Sequence, residues 1–315
     1  MDKKKIIREA LSKYGTLGYY TYWAFIKSFY LYRSFLSDKK ITKKKYRDIY
    51  HKDPNLDNPQ TLNEKILWLK LNARNPLMTK CADKYTAREV IREKFGEEYL
   101  IPLLFSTDNW KDITLENIPD ENCIIKPSHS QGDMLIIKDK NKLDIKKLRY
   151  DARTWMLRNL YYETQEWPYK DCKPKLIIEK LLQTKDGYIP NDYKLHFING
   201  KLEFVYCAVG RETVNKRNIY DAEWNPYYFS WVEPFKDAST IRGEEIPAPA
   251  TFEQMKKMGA EIAKNFPYVR VDFYDVDGKL YFGEITFFHG GGFDVFVPSE
   301  YDKIFGDKLI LPNKQ

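Results

Sequence analysis

Arg270-Val271-Asp272 and Glu284-Ile285-Thr286 stand on either side of an Asp277-Gly278 pair. Asp-Gly between apolar runs is a strong hairpin signal, so the two triplets read as facing arms of one hairpin. Alternation puts Arg270 and Asp272 on one face of their strand, and Glu284 and Thr286 on one face of theirs. Where the arms align, two carboxylates meet across neighbouring strands, and like charges so placed repel unless a cation lies between them. Mg²⁺ takes one or two carboxylates together with phosphate oxygens. The alternative is a pair of carboxylates that are solvated or satisfied by arginine. Asp192-Tyr193-Lys194 opens another strand. Lys194 points away from the apolar Leu195, as a phosphate contact or as a surface lysine.

Three further segments carry weaker chemistry. Lys126 ends an apolar run and leads into Pro127-Ser128-His129-Ser130-Gln131-Gly132-Asp133. A strand-end lysine and a small-residue loop can hold a phosphate against backbone N–H groups, or can form an ordinary hairpin turn. Ile177-Ile178-Glu179-Lys180-Leu181-Leu182 runs from a strand into a connector, and offers a purine a backbone edge with apolar walls, or is a core strand with a solvated glutamate. Arg211 to Arg217 is a basic loop suited to an acidic sugar or a triphosphate, or is a solvated turn. His129, Arg211, Lys216, Arg217 and His289 are candidates to surround an acceptor. Gly290-Gly291-Gly292 can bring backbone close to a ligand or can be a plain turn. Asp275-Val276-Asp277 matches the DxD pattern of metal-dependent glycosyltransferases, yet Asp277 reads better as part of the hairpin turn.

The elements that position these residues follow from pattern. Residues 1 to about 50 read as helices, and Pro54 and Pro59 mark a turn-rich break. Thr61-Leu62-Asn63-Glu64 is a capping box that opens the next helix. Asp83 to Gly96 is another helix, and Tyr99 to Phe105 a short strand. Strands follow at Cys123–Pro127, Met134–Ile137 and Lys175–Glu179, with a helical region over 142–164. Lys194–Ile198 and Lys201–Val205 form a hairpin around Asn199-Gly200, and Val269–Tyr274 with Leu280–Ile285 a second one. Thr251 to Asn265 is a helix. The chain is therefore α+β, with antiparallel sheet in its C-terminal half.

At 315 residues, 43% apolar and 31% charged, the chain has the composition of a globular protein large enough for a core without disulfides, which excludes disorder as the main state. Lysine and arginine number 52 against 45 acidic residues, which favours anionic partners. The short lysine cluster at 39–45 lacks a reader motif, so no nucleic-acid partner is expected. Cys81, Cys123, Cys172 and Cys207 are widely spaced, and are expected as free, buried thiols of a reducing compartment. No signal peptide is evident. Residues 15–45 are aromatic and basic, interrupted by Lys27 and Arg33, and too polar for a span. They form either an interfacial helix on a membrane or a helix packed on the main domain.

Taken in order and spacing, a set of motifs resembles the ATP-grasp superfamily, and within it the TupA-like branch of polysaccharide biosynthesis. They are Asn58-Pro59-Gln60-Thr61-Leu62-Asn63-Glu64-Lys65, Asp83-Lys84-Tyr85-Thr86-Ala87-Arg88-Glu89, Ile125-Lys126-Pro127-Ser128-His129, Ile177 to Leu182, Asp192-Tyr193-Lys194, Arg270-Val271-Asp272, and Gly283 to Phe287 with Gly290-Gly291-Gly292. The resemblance implies an ATP-grasp fold, two α+β subdomains sandwiching ATP, with a mainly helical N-terminal region. The implied division is a basic aromatic helical segment over 1–55 and a helical pre-grasp region over 56–118. A small ATP-grasp subdomain over 119–182 and a large one over 183–315 follow.

The implied cofactors are ATP and Mg²⁺. By the same resemblance Lys84 and Lys126 contact phosphate, with Ser128, His129 and Ser130 in the phosphate loop. Glu179, Lys180 and Leu182 lie at the adenine hinge, and Asp192 near the ribose. Lys194 and Arg270 contact phosphate or acyl phosphate and serve catalysis. Asp272, Glu284 and Thr286 are the metal ligands, Thr286 standing where the family usually has asparagine. Arg211, Lys216, Arg217, His289 and Gly291 are candidates for substrate. The implied activity is a carboxylate–amine ligase working through an acyl phosphate, on a small-molecule or glycan carboxylate at the cytoplasmic face of the membrane. A glycosyltransferase, an ATP-grasp phosphotransferase and a non-catalytic glycan-binding module are the alternatives.

Overall fold

The computed structural model describes residues 3–210, 216–235 and 242–313. In chain order the helices are α1 (Lys3–Ser12), α2 (Gly15–Ser34), α3 (Asp38–Tyr50), α4 (Leu62–Asn72), α5 (Pro76–Ala82), α6 (Lys84–Phe95), α7 (Ile145–Trp155), α8 (Leu160–Thr164), α9 (Phe252–Ala263) and α10 (Glu300–Lys308). The strands are β1 (Leu103–Thr107), β2 (Cys123–Pro127), β3 (Leu135–Ile137), β4 (Leu176–Lys180), β5 (Asp192–Ile198), β6 (Lys201–Val209), β7 (Lys216–Tyr220), β8 (Ser230–Val232), β9 (Tyr268–Val276), β10 (Lys279–Thr286) and β11 (Val295–Val297). Two compact units share them. The first comprises Met1–Ser37, Asp83–Thr86 and Ile101–Leu181, and the second Asp38–Ala82, Ala87–Leu100 and Leu182–Gln315.

The first unit is built on an antiparallel sheet of order β1-β4-β2-β3. Its apolar face (Cys123, Ile125, Leu176, Ile178) packs on Leu148, Ala152 and Trp155 of α7. The helical region expected over 142–164 is two helices. Asn159 accepts a hydrogen bond from the Tyr161 backbone N–H and so starts α8 afresh. The first strand begins later than expected, at Leu103. Residues Glu97–Tyr99 form a 3₁₀ turn after Gly96, and Pro102 has no N–H to give to a ladder. α2 buries Tyr22, Ile26 and Tyr30 against Ile7, Leu11, Leu157 and Tyr162, and exposes Leu17, Tyr20, Leu31 and Tyr32.

The second unit carries an antiparallel sheet of order β10-β9-β5-β6-β7. Both hairpins turn on left-handed pairs, Asn199-Gly200 (φ 46° and 80°) and Asp277-Gly278 (φ 53° and 85°). This is the twist that a two-residue turn between strands requires. One sheet face is covered by α9, where a Cβ on Gly259 would come within 2.5 Å of the Phe197 ring. On the other face the β8–β11 ribbon brings Trp231 over His196 and Phe204. Thr61 and Glu64 form the expected capping box of α4, a helix buried on nearly every side.

One bulge in the register decides which face Glu284 takes. Phe282 is opposite Phe273 and Glu284 is opposite Asp272, which leaves Gly283 as an extra residue. Without this bulge Glu284 would share the face of Phe282; with it Glu284 turns to the side of Asp272. The approach there is close, since a Cβ on Gly283 would lie 3.0 Å from the Asp272 carbonyl oxygen.

Candidate active site

A continuous cross-strand row runs Glu284, Asp272, Lys194, Tyr206, Ile219, each opposite the next on the neighbouring strand. A second row beside it runs Thr286, Arg270, His196, Phe204. Paired residues share a face, so the charged members converge on one side of the sheet. Arg270 donates from Nε to Asp272 Oδ1 (2.6 Å), and from Nη2 to Asp272 Oδ2 (2.7 Å) and Glu284 Oε1 (2.6 Å). Lys194 Nζ donates to Asp272 Oδ2 (2.5 Å) and Asp192 Oδ2 (2.6 Å). The two carboxylates therefore do meet, with a guanidinium between them.

Burial sets the electrostatics of this cluster. Burial opposes the charge on Lys194, but Asp192 and Asp272 outweigh it and hold the ammonium above its ordinary value. Arg270 is likewise held charged, by Asp272 and Glu284 against burial. Burial pushes the Asp272 carboxyl up, against the pull of Arg270 and Lys194. Asp192 Oδ1 is buried and has no hydrogen-bond partner among the described residues. Glu284 is the open member, with its side chain 33% exposed against 2% for Asp272.

His289 completes the guanidinium's partners, its Nδ1 lying 3.1 Å from Arg270 Nη1. Burial drives its pKa well below the ordinary histidine value, so the ring is neutral and Nδ1 can accept. Sequence reasoning missed His196, two residues beyond Lys194 on the same face, although alternation alone would have found it. It bonds Tyr268 (2.9 Å) and lies 5.1 Å from the His289 ring, also neutral through burial.

In the first unit the loop after β2 is tied to the start of α6. Lys84 donates from its backbone N–H to Ser128 O (3.0 Å) and from Nζ to Ser130 O (2.6 Å). Ser128 Oγ donates to Asp83 Oδ2 (2.6 Å), and Asp83 Oδ1 caps Tyr85 and Thr86. Lys126 pairs with Glu179 at 2.7 Å. Lys180 points outward to Glu121 at 3.3 Å, and Leu182 lies at the start of the second unit. Asp133, an awkward neighbour for phosphate by its charge, is clasped instead by Arg8 Nη1 (2.7 Å) and Arg158. Arg158 also holds Glu163 (2.7 Å), which accepts from Tyr30 OH (3.0 Å).

Other expected site residues fall elsewhere. His129 is a first-unit residue, 2% exposed, accepting from the Lys175 backbone N–H; burial pushes its pKa down to about 4. A place beside the acceptor, among solvent-accessible charges, is not what this burial provides. Gly291 gives its carbonyl to Lys70 Nζ (2.7 Å), and a Cβ on Gly292 would strike Leu67, so the glycine run is fitted against α4. Lys216 and Arg217 open β7, and Arg211 lies outside the described residues. The DxD reading loses its motif. Asp275 accepts from Thr251 and the Gly278 N–H, and Asp277 from the Lys185 N–H, so both carboxylates are taken up by contacts that hold the hairpin turn and its neighbours. The described cysteines are free, and all but the half-buried Cys172 are buried. No helix among the described residues is long and apolar enough to cross a membrane.

A model of the TupA-like ATPgrasp family matches residues 64–310. No curated protein matches the chain. Among solved structures, D-alanine–D-alanine ligase from Bacillus anthracis complexed with ATP is 16% identical, with 65% of this chain and 53% of that chain covered and a TM-score of 0.36. ATP-grasp ligase PsnB complexed with minimal precursor is 14% identical, with 69% and 55% covered and a TM-score of 0.39. D-Alanine-D-alanine ligase from Helicobacter pylori is 14% identical, with 74% and 61% covered and a TM-score of 0.37. This chain thus spans little more than half the length of those solved proteins.

Proposed function

The chain belongs to the TupA-like ATP-grasp family, and from that premise we propose that it is an ATP- and Mg²⁺-dependent carboxylate–amine ligase. The observation that carries this reading is the Asp272–Glu284 pair, opposite one another on one sheet face and bridged by Arg270 beside Lys194. Among the described residues no three His, Cys, Asp or Glu side chains gather into a metal cage. Two carboxylates suit Mg²⁺, which completes its shell with substrate phosphate and water. A cation already sits between them as the Arg270 guanidinium. When bound, Mg²⁺ would neutralise the phosphate oxygens, held by Asp272 and Glu284 with Thr286 nearby.

In this reading a substrate carboxylate oxygen attacks the γ-phosphorus of ATP, the bond to the ADP oxygen breaks, and an acyl phosphate forms. An amine then attacks the acyl carbon, phosphate leaves, and the amine's proton is lost to solvent. Lys84 and Lys126 hold phosphate, Glu179 and Leu182 border the adenine, and Asp192 meets the ribose. Lys194 and Arg270 steady the charge that develops on the transferring group. His289, neutral by burial, keeps the guanidinium oriented.

The substrate we assign is a carboxylate of a uronic acid or amino acid in a cell-surface polysaccharide. The place is the cytoplasmic side of the membrane, with α2 lying in the interface through Leu17, Tyr20, Trp23, Leu31 and Tyr32, and Phe35 just past its end. Flotation with anionic vesicles tests that contact. ADP release screened over pairs of uronates and amines, with product mass, tests the ligase. Release that needs the amine supports it, and full release onto a hydroxyl acceptor alone points to a phosphotransferase.

A further inference from the structure

The row that carries Glu284, Asp272 and Lys194 ends on β7 at Ile219, beside a cleft of about 210 Å³. Arg217, Ile219, Tyr228, Ser230 and Arg242 line it, and no carboxylate does among the described residues. Arg217 is two residues from Ile219, so both side chains rise from the face that carries the charged cluster. The Arg217 guanidinium lies 5.6 Å from the Tyr206 ring centre. Arg242 lies 4.2 Å from that of Tyr228 and pairs with Glu245 at 3.2 Å, an exposed contact that a ligand can displace at little cost.

Two guanidiniums with a serine hydroxyl are a set for an oxyanion, because the planar fork matches carboxylate and phosphate geometry. The 46%-exposed Val297 and the 66%-exposed ring of Tyr228 add an apolar wall, on which a ring with one apolar face can rest. The position matters as much as the chemistry. Two strand spacings separate Lys194 on β5 from β7, about 10 Å. A group bound here lies two strands along the sheet from Lys194.

We propose that this cleft binds an acidic sugar unit of the acceptor, a uronic acid or a sugar phosphate, two strands along the sheet from Lys194. Arg217 and Arg242 then set specificity for acceptors longer than a single amino acid. This rests on the ligase reading for the position of the reacting end, whereas the anion selectivity of the cleft stands by itself.

The test is calorimetric titration of the full chain with D-glucuronate, glucose 6-phosphate and glucose, with Mg·ATP titrated separately. An acidic sugar should bind and glucose should not. Arg217→Gln and Arg242→Gln should each weaken that binding about tenfold, the scale of one lost hydrogen bond to a charged group. Arg217→Lys should restore part of it, which separates charge reading from a packing defect. Glucuronate alone identifies a carboxylate reader, and the phosphate ester alone a phosphate reader. The proposal fails if neither acidic sugar binds below about 10 mM, a free energy weaker than ordinary specific recognition. It fails equally if glucose binds as well, or if both arginine variants bind like wild type. Acidic-sugar binding without any Mg·ATP binding would sink the ligase reading and leave the cleft standing.

Discussion

Asp133 in the first unit and Asp272 in the second are each buried and clasped by two cations, yet the two clusters are assembled in different ways. The partners of Asp133 come from α1 and from the junction of α7 and α8. Its network joins stretches of chain far apart in sequence, and every side chain in it is at most 12% exposed apart from Lys4. The partners of Asp272 come from its own strand and the next one, fixed by sheet register. That cluster opens through Glu284 and retains an unpartnered oxygen on Asp192. Similar chemistry thus lines a cleft of about 120 Å³ beside Asp133 and lies open through Glu284 beside Asp272. What distinguishes them is how the partners are brought in, by separate stretches of chain around Asp133 and by the register of neighbouring strands around Asp272.

The largest expected consequence falls on the open cluster. Asp272→Asn should lower ADP release at least about a thousandfold, the scale of losing a preorganised charge in a phosphoryl-transfer site. Its melting temperature should stay near wild type, because Glu284 and Asp192 remain to pair with Arg270 and Lys194. Turnover within tenfold of wild type would erase the distinction drawn here.

Asp133→Asn should do the reverse. It strands Arg8, whose only ion pair among the described residues is with Asp133, and should cost about 3–5 kcal/mol, as when one partner of a buried pair is removed. Chemical denaturation measures this, and a loss below about 1 kcal/mol would place Asp133 among surface-like pairs.

A third comparison uses Asp302, which burial pushes up to about 6 although it accepts from Asn63. A carboxyl raised in the folded state contributes stability below its unfolded pKa, and this is lost as pH rises through the folded value. Between about pH 4 and 6, Asp302→Asn should therefore gain on wild type by up to about 3 kcal/mol, on top of a constant offset for its altered contacts. Parallel stability profiles for the two proteins over that window would refute the shift. The smallest effect belongs to Lys126→Ala, which should weaken ATP binding about tenfold, one charge-assisted contact, and shrink the ATP-induced thermal shift without touching the apo melting point. An undiminished shift would remove Lys126 from the nucleotide site.

Much of this was legible in the residues because local rules governed it. Asn199-Gly200 and Asp277-Gly278 fixed both hairpins, since few other pairs accept two left-handed residues in succession. Thr61 and Glu64 announced α4, and the step from Lys194 to Leu195 told which way the lysine faces. The Asp272–Glu284 meeting was expected, but the bulge at Gly283 that produces it was not, because a bulge is a property of two strands in register. The Arg8–Asp133 bond spans 125 residues and left no local trace. Nor did the break between α7 and α8 show, since Asn159 acts as a cap only once the preceding helix has ended.

The account turns on a divalent ion held by Asp272 and Glu284 against ATP. Mn²⁺ can stand in for Mg²⁺ and be followed by electron paramagnetic resonance, with a non-hydrolysable ATP analogue present. Wild type should bind Mn²⁺ in an analogue-dependent manner, while Asp272→Asn and Glu284→Gln, folded by circular dichroism, should each lose that binding. Undiminished analogue-dependent binding of the ion in both variants would contradict it.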